Sequence, residues 1–319
     1  MPLDEIDPAV DPVETDLTVS HAAMTHTGLL REANEDDVLA LPEHNVFLVA
    51  DGMGGHVAGQ LASEICVQTV ANFFSDERED DSLIDSEGYT SLSHDALELA
   101  EALLLANQRI YDRAAANPKL TGMGTTAVAV RVNDNRIAVS HAGDSRCYLL
   151  REGELAQVTA DHSLSNFLLA LGRELEARYA EQTMSNVIMR ALGLEPEVAV
   201  DTKEFLVQSG DRVLLCSDGL SDLVPDDVIA AKLGEFGTSL DDIVSYLVDR
   251  ALDAGGRDNI TVLVLEIGGL TPVLPESSFS ETLELPASIV TGDSSFVEQV
   301  DEDDEDGEGD PDGTEAADH

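Results

Sequence analysis

Acidic residues set beside glycine at the ends of apolar runs are the feature of this sequence that could do chemistry. Asp51 follows the run VFLVA and precedes Gly52-Met53-Gly54-Gly55; Asp218 follows VLLCS and precedes Gly219; Asp144 lies in HAGDSR and Asp258 in GGRDNIT. A carboxylate where a strand gives way to a loop, next to a residue without a bulky side chain, can point into a cleft that a second group approaches closely. Taken singly, each Asp-Gly pair is ordinary turn chemistry. Taken together they say more. If Asp51, Asp218 and Asp258 converge with Asp36, four negative charges share one pocket and repel strongly even at an intermediate dielectric. Hard divalent cations, which take oxygen ligands rather than His or Cys, would offset that repulsion. Two such ions about 3.5–4 Å apart can activate a water and clamp the oxygens of an in-line displacement at phosphorus. Arg31, five residues before Asp36, is the candidate for holding the phosphate, because a guanidinium matches two phosphate oxygens at once.

The composition removes other classes. The chain has 319 residues, with 64 Asp+Glu against 17 Lys+Arg and a formal net charge of −47, so a nucleic-acid backbone would be repelled. No apolar run approaches the roughly 18 residues of a membrane span, and the acidic start is unlike the basic start of a signal peptide. A soluble, cytoplasmic protein with neither nucleic acid nor membrane as partner is expected. Three cysteines, Cys66, Cys147 and Cys216, lie far apart without a C-x-x-C, which fits a reducing compartment. Gly122-Met-Gly124-Thr-Thr-Ala127 matches a dinucleotide pattern on paper. It opens the beta-branched run TTAVAVRV, however, where that chemistry needs a helix N-terminus.

The elements that must position the acids can be read coarsely. Beta-rich runs recur at 17–25, 45–50, 125–132, 136–141, 146–151, 202–207, 212–216 and 260–267. Helical periodicity covers about 55–75, 93–116 behind Ser93, 239–253 behind Ser239, and more weakly 163–181. Strands come in adjacent groups rather than alternating singly with helices, which favours antiparallel sheets with helices outside, an α+β layered sandwich. Residues 1–16 read as a disordered acidic leader, 17–268 as one domain with a polar insertion at 76–92, and 269–319 as a disordered acidic tail. Residues 270–319 hold 16 of the 64 acids and no Lys or Arg.

In order along 17–268, the segments R31-x-x-N34-E35-D36, D51-G52-M53-G54-G55-H56, G122-M-G124-T125-T126, G143-D144-S145-R146, T159-A-D161-H162-S163, R190-A191-L192-G193, S217-D218-G219-L220-S221-D222 and R257-D258-N259-I260-T261 resemble the metal-dependent Ser/Thr protein phosphatases of the PPM type, also called PP2C, in their bacterial form. The resemblance implies an α-β-β-α sandwich of two antiparallel sheets flanked by helices, with a metal cleft at one edge. It implies that Asp51 bridges two Mn²⁺ or Mg²⁺ ions, that Asp218 and Asp258 complete one site, that the Gly52 carbonyl serves the other and that Asp36 supports the cluster. Asp144 and Asp222 match positions that, with Asp218, hold a third and weaker cation. Arg31 would bind substrate phosphate, and residues 163–189 match a mobile flap that helps select substrates. The implied reaction is hydrolysis of phosphoserine and phosphothreonine in proteins by a hydroxide bridging the two ions, with Ser/Thr kinases and their substrates as partners.

Two departures stand out. Met53 occupies the place where eukaryotic members carry a proposed general-acid His, which leaves that acid unassigned, with His56 read as structural. Met189 replaces a Thr common before Arg190. Two alternatives stay open: a catalytically inactive PP2C fold that binds phosphoproteins, and a phosphatase acting on an anti-sigma-antagonist domain.

Overall fold

The runs VFLVA, TTAVAVRV, RVLLC and ITVLVLEI carry apolar residues at odd and even positions alike, the pattern of strands covered on both faces. A computed structural model describes residues 17–55, 57–75, 92–184 and 187–269, with the backbone alone of 283–285. Its strands are β1 (Thr18–His26), β2 (Asp36–Leu41), β3 (Val46–Met53), β4 (Gly124–Thr125), β5 (Ala127–Asn133), β6 (Arg136–Ala142), β7 (Arg146–Arg151), β8 (Glu154–Gln157), β9 (Val200–Leu206), β10 (Arg212–Cys216), β11 (Ile260–Gly268) and β12 (Leu283–Leu285). Its helices are α1 (Val57–Phe74), α2 (His94–Ala115), α3 (Leu164–Ala170), α4 (Glu174–Thr183), α5 (Asp218–Ser221), α6 (Asp226–Leu233) and α7 (Leu240–Asp253). One sheet runs β1-β11-β10-β7-β8 and the other β12-β9-β6-β5-β3-β2, with β4 attached to β3. All these pairings are antiparallel.

Alternation along each strand sorts the side chains into three cores. Phe47, Val49, Val128 and Val130 lie between the sheets, against Cys147, Leu149, Val213, Leu215, Leu263 and Leu265. Their neighbours Leu48, Ala50, Ala127 and Ala129 pack the other way, onto Ala62, Cys66, Leu99 and Leu103 of α1 and α2. On the far side Tyr148, Leu214, Val262 and Val264 meet Ile229, Leu233, Ile243 and Leu247 of α6 and α7. Burial of each large side chain contributes about 1.5–3 kcal/mol, and a one-residue slip would exchange both faces of a strand at once. The expected α-β-β-α sandwich is the observed one.

The two long capped helices begin where their caps put them: the Ser93 and Ser239 hydroxyls accept from the Ala96 and Asp242 N–H groups. The weak periodicity at 163–181 resolves into two short helices, α3 and α4, broken at Gly172, whose φ of +72° suits glycine. Within the range read as a disordered tail, Leu283–Leu285 pairs antiparallel with β9, Leu283 opposite Thr202 and Leu285 opposite Val200. The leader 1–16, residues 76–91 of the insertion read at 76–92, His56 and the rest of the tail beyond Gly269 lie outside the described residues. Among the described residues no helix is long and apolar enough to cross a membrane, and Cys66, Cys147 and Cys216 are buried and free.

Candidate active site

The acids meet where both sheets and the loops at one edge converge. Asp36 opens β2 directly across from Asp51 in β3, a register that sets like charges opposite each other and so disfavours the sheet unless something offsets them. Asp51 is held by the Gly124-Thr-Thr segment: the Thr126 N–H and the Thr125 hydroxyl donate to its carbonyl at 2.8 and 2.9 Å. Gly52 follows because nothing larger fits; a Cβ there would stand 2.1 Å from the Gly59 carbonyl oxygen and 2.6 Å from that of Glu35. Asp218 opens the single turn α5 behind Ser217, and the next residue, Gly219, would place a Cβ 1.9 Å from the Asn259 carbonyl oxygen. Asp144 sits in the tight loop between β6 and β7, and Asp258 in the loop before β11.

Two adjoining cavities collect these groups. One, about 470 Å³, is lined by Arg31, Glu35, Asp51, Gly52, Met53, Asp144, Asp218 and Asp258. The other, about 550 Å³, is lined by Asp144, Asp161, Ser163, Glu181, Asp218, Asp222, Arg257 and Asp258. Asp144, Asp218 and Asp258 form the wall they share. Asp36 lines neither. It lies behind Asp51, where Ser217 and Thr261 hydroxyls donate to its Oδ2 at 2.8 and 2.7 Å. Asp222 belongs to the second cavity alone. Arg31 donates to Asp258 Oδ2 at 2.5 Å and is half exposed, with its side chain 47% accessible.

The electrostatics are those of crowded anions. Burial pushes Asp36 up to about 6, against the relief of its two hydroxyl donors. Burial first, then Asp161, carries Asp144 to about 6. Asp51 and Asp218 stand well above the usual carboxylate range, by burial first, then for Asp51 by Asp36, Asp218, Asp144 and Asp258 and for Asp218 by Asp144, Asp222, Asp258 and Asp36. Asp222 is raised as well, mainly by burial. The Oδ1 atoms of Asp36, Asp144 and Asp218 and the Ser221 hydroxyl are buried without a hydrogen-bond partner. A buried carboxylate oxygen left without a donor is strongly unfavourable, and three around one edge fit hard cations with oxygen ligands. Among the described residues no Cys or His side chain lines either cavity, a lining that suits oxygen-preferring cations better than zinc.

Two other groups among the described residues bring three His, Asp or Glu ligand atoms within 4.8 Å of one another: His141, His162 and Asp201, and His94, Asp95 and Glu98. Neither suits a cation. Arg190 already holds Asp201 at 2.7 Å, and Arg131 holds Asp95 and Glu98 at 3.1 and 2.5 Å. The predicted Asp cluster is more open than these; its oxygens surround cavities rather than a single point.

Sequence reasoning assigned no role to two residues that the site depends on. Glu35 is 6% exposed and lies over the first turn of α1 so closely that a Cβ on Gly59 would be 1.8 Å from its Oε2. Asn259 accepts from the Glu35 N–H at 2.8 Å and donates to the Thr27 and Ala33 carbonyls at 2.8 and 2.9 Å, pinning the loop that carries Arg31. Their adjacency to Asp36 and Asp258 was the signal available.

A family model for protein phosphatase 2C matches residues 30–254. The chain belongs to the protein phosphatase 2C family. Its relatives include the serine/threonine protein phosphatase PstP of Mycobacterium tuberculosis, 36% identical over 87% of this chain and 49% of that protein, so this chain spans about half the length of that relative. The serine/threonine phosphatase stp of Listeria welshimeri is 35% identical over 76% of this chain and 93% of that one. The solved catalytic domain of PstP in complex with two manganese ions superposes with a TM-score of 0.66 at 36% identity, covering 79% of this chain and 99% of that one. This PP2C chain therefore shares fold and family with bacterial members named as Ser/Thr phosphatases.

Proposed function

We propose that this chain is a metal-dependent protein-serine/threonine phosphatase whose machinery is the carboxylate cluster around Asp51 and Asp218. The observation that carries the reading is the set of buried, partnerless Oδ1 atoms of Asp36, Asp144 and Asp218 beside a half-exposed guanidinium. Asp51, Asp218 and Asp258 with the Gly52 carbonyl would hold two Mn²⁺ or Mg²⁺ ions, Asp36 would buttress Asp51, and Asp144 with Asp222 would hold a third, weaker one. Bound there, the two ions supply the Lewis acidity that activates water and offsets charge on the phosphoryl group. The relative solved with two manganese ions supports that assignment.

The chain's own residues do the rest. Arg31, freed in part from Asp258, would orient the phosphate through its fork, and Asn259 keeps the Arg31 loop in place. The larger cavity lies against Ser163 and Glu181, so α3 and α4 would contact the peptide around the phosphorylated residue. They also expose Phe167, Leu169, Leu175 and Tyr179. Among the described residues no Ser, Thr, Cys or His side chain lines the smaller cavity, which favours direct attack by water over a phosphoenzyme on such a side chain. Partners would be phosphorylated Ser/Thr kinases and their substrates. The named activity of the PP2C relatives favours this reading over an inactive binding module or an anti-sigma-antagonist phosphatase.

Arg31→Ala should raise KM for an aryl phosphate about 10- to 100-fold, the worth of a charge-assisted hydrogen bond, with Lys recovering only part because it lacks the fork. Steady-state kinetics at saturating Mn²⁺ check this. An unchanged KM would remove Arg31 from the phosphate site. Hydrolysis of a kinase activation-loop phosphopeptide tests the partner; failure on it by a chain active on aryl phosphate would sink the kinase assignment.

A further inference from the structure

Asn107 belongs to the outer helical layer, midway along α2, yet it is 2% exposed and its whole amide is spent on one loop. Its Oδ1 accepts from the Gly193 N–H at 2.7 Å, and its Nδ2 donates to the Glu195 and Pro196 carbonyls at 3.3 and 3.1 Å. An N–H on one side and two carbonyls on the other fix which way the amide faces. A buried amide is tolerated where each of its groups is bonded. The loop has no slack against the same helix: Gly193 has a φ of +87°, and a Cβ on it would stand 2.1 Å from Ile110 Cγ2, one turn on from Asn107.

The loop so held leads to the carboxylate cluster. Leu192 and Thr125 exchange both backbone bonds, at 3.0 and 2.8 Å, and a Cβ on Gly124 would lie 2.9 Å from the Leu192 carbonyl oxygen. Thr125 and Thr126 in turn hold Asp51. The Thr125 hydroxyl lies between the Asp51 and Thr126 carbonyls, 2.9 and 2.8 Å from them. The Thr126 N–H donates to the Asp51 carbonyl at 2.8 Å, and the Thr126 hydroxyl accepts from the Asp51 N–H at 3.3 Å. Both backbone ends of Asp51 are thus set by a segment that α2 clamps from behind. The Asp51 carbonyl belongs to the peptide that joins Asp51 to Gly52, so a turn of that peptide moves both proposed ligands.

We propose that Asn107 is a positioning residue for the metal centre, acting through the Leu192–Thr125 pair on Asp51 and Gly52. This rests on the reading of those two residues as ligands. Arg31 sits on a loop pinned by Asn259 instead, so the relay governs metal affinity and leaves the phosphate contact alone. Asn107→Ala removes the clamp without adding bulk, and Thr125→Val removes the hydroxyl without touching Asn107. Each should raise the Mn²⁺ dissociation constant of the full chain about tenfold or more while KM for an aryl phosphate at saturating Mn²⁺ stays within about twofold; tenfold is the usual scale for losing a group that orients a metal ligand. In the double variant, calorimetry should give an affinity close to that of the weaker single variant, since two links of one relay are not independent. Effects that multiply would overturn the proposal. So would an Asn107→Ala protein that melts lower but binds Mn²⁺ like the wild type.

The metal-free chain gives a second reading. Amide exchange at Thr126 should be about tenfold faster in Asn107→Ala than in the wild type, the scale of one buried hydrogen bond left unmade, with the amides of β10 unchanged. Acceleration at Gly193 without any at Thr126 would refute the relay. Should that variant not fold, the wild type decides: the Gly193 and Thr126 amides should open with one denaturant dependence, and two separate dependences would refute it. Failure of the wild type to bind Mn²⁺ would count against the metal reading of Asp51, and the exchange experiment, which needs no metal, would still decide the relay.

Discussion

Asp218→Asn is expected to abolish turnover while raising the melting temperature of the metal-free protein. Asp218 stands at the shared wall of both cavities with Oδ1 unpartnered, and burial plus the charges of Asp144, Asp222, Asp258 and Asp36 hold it well above the ordinary range. Removing its charge relieves repulsion from Asp144, Asp222, Asp258 and Asp36. The gain should be about 1–3 kcal/mol, a rise of several degrees for a domain of this size. The same change deletes a ligand of the catalytic ions, and kcat should fall at least about a thousandfold, about 4 kcal/mol of transition-state stabilisation. Calorimetric melting in EDTA and single-turnover hydrolysis measure the two halves. Activity lost together with stability would mean that Asp218 holds the fold rather than the chemistry.

The second large effect is a stability profile whose slope with pH depends on Mn²⁺. In the unfolded chain these carboxylates titrate near 4; folded, Asp36 and Asp144 are pushed up to about 6, and Asp51 and Asp218 are also held well above the usual carboxylate range, first by burial. Between those values the folded chain holds protons that the unfolded chain has released, so stability falls as pH rises through the window. Asp36 alone is worth on the order of 3 kcal/mol across it. In EDTA the protein should melt higher near pH 5 than near pH 7.5. With millimolar Mn²⁺ the order should reverse, because the ligands must be deprotonated to bind. Asp201, lowered by His162 and its other charged neighbours, changes stability only below about pH 4 and leaves this window untouched. An EDTA profile that rises from pH 5 to 7.5 would contradict the clustering of the raised acids.

What the sequence made legible follows from how local the cause is. Asp51 and Asp218 could be singled out because the glycine after each is forced by backbone contacts, with Gly59 in one case and Asn259 in the other, and a forced glycine leaves a mark in the sequence. α2 and α7 were readable from Ser93 and Ser239, whose capping bonds span three residues. β2 was not, since its sequence DDVLAL opens on Asp36, an acid placed for the site rather than for the strand. The support of Asp36 by Ser217 and Thr261, 181 and 225 residues away, leaves no periodic trace. Neither does the bond from Gly193 to Asn107, 86 residues away, which shows only once α2 and the segment before β9 are side by side.

Release of phosphate from a phosphothreonine peptide as Mn²⁺ is stepped from an EDTA baseline to saturation, with wild type and Asp218→Asn in parallel, bears most directly on the carboxylate cluster as a two-ion centre. Wild-type activity that is absent in EDTA, rises with Mn²⁺ and is missing from the folded variant at every concentration is the predicted result. Turnover that persists in EDTA, or that survives in Asp218→Asn, would contradict it.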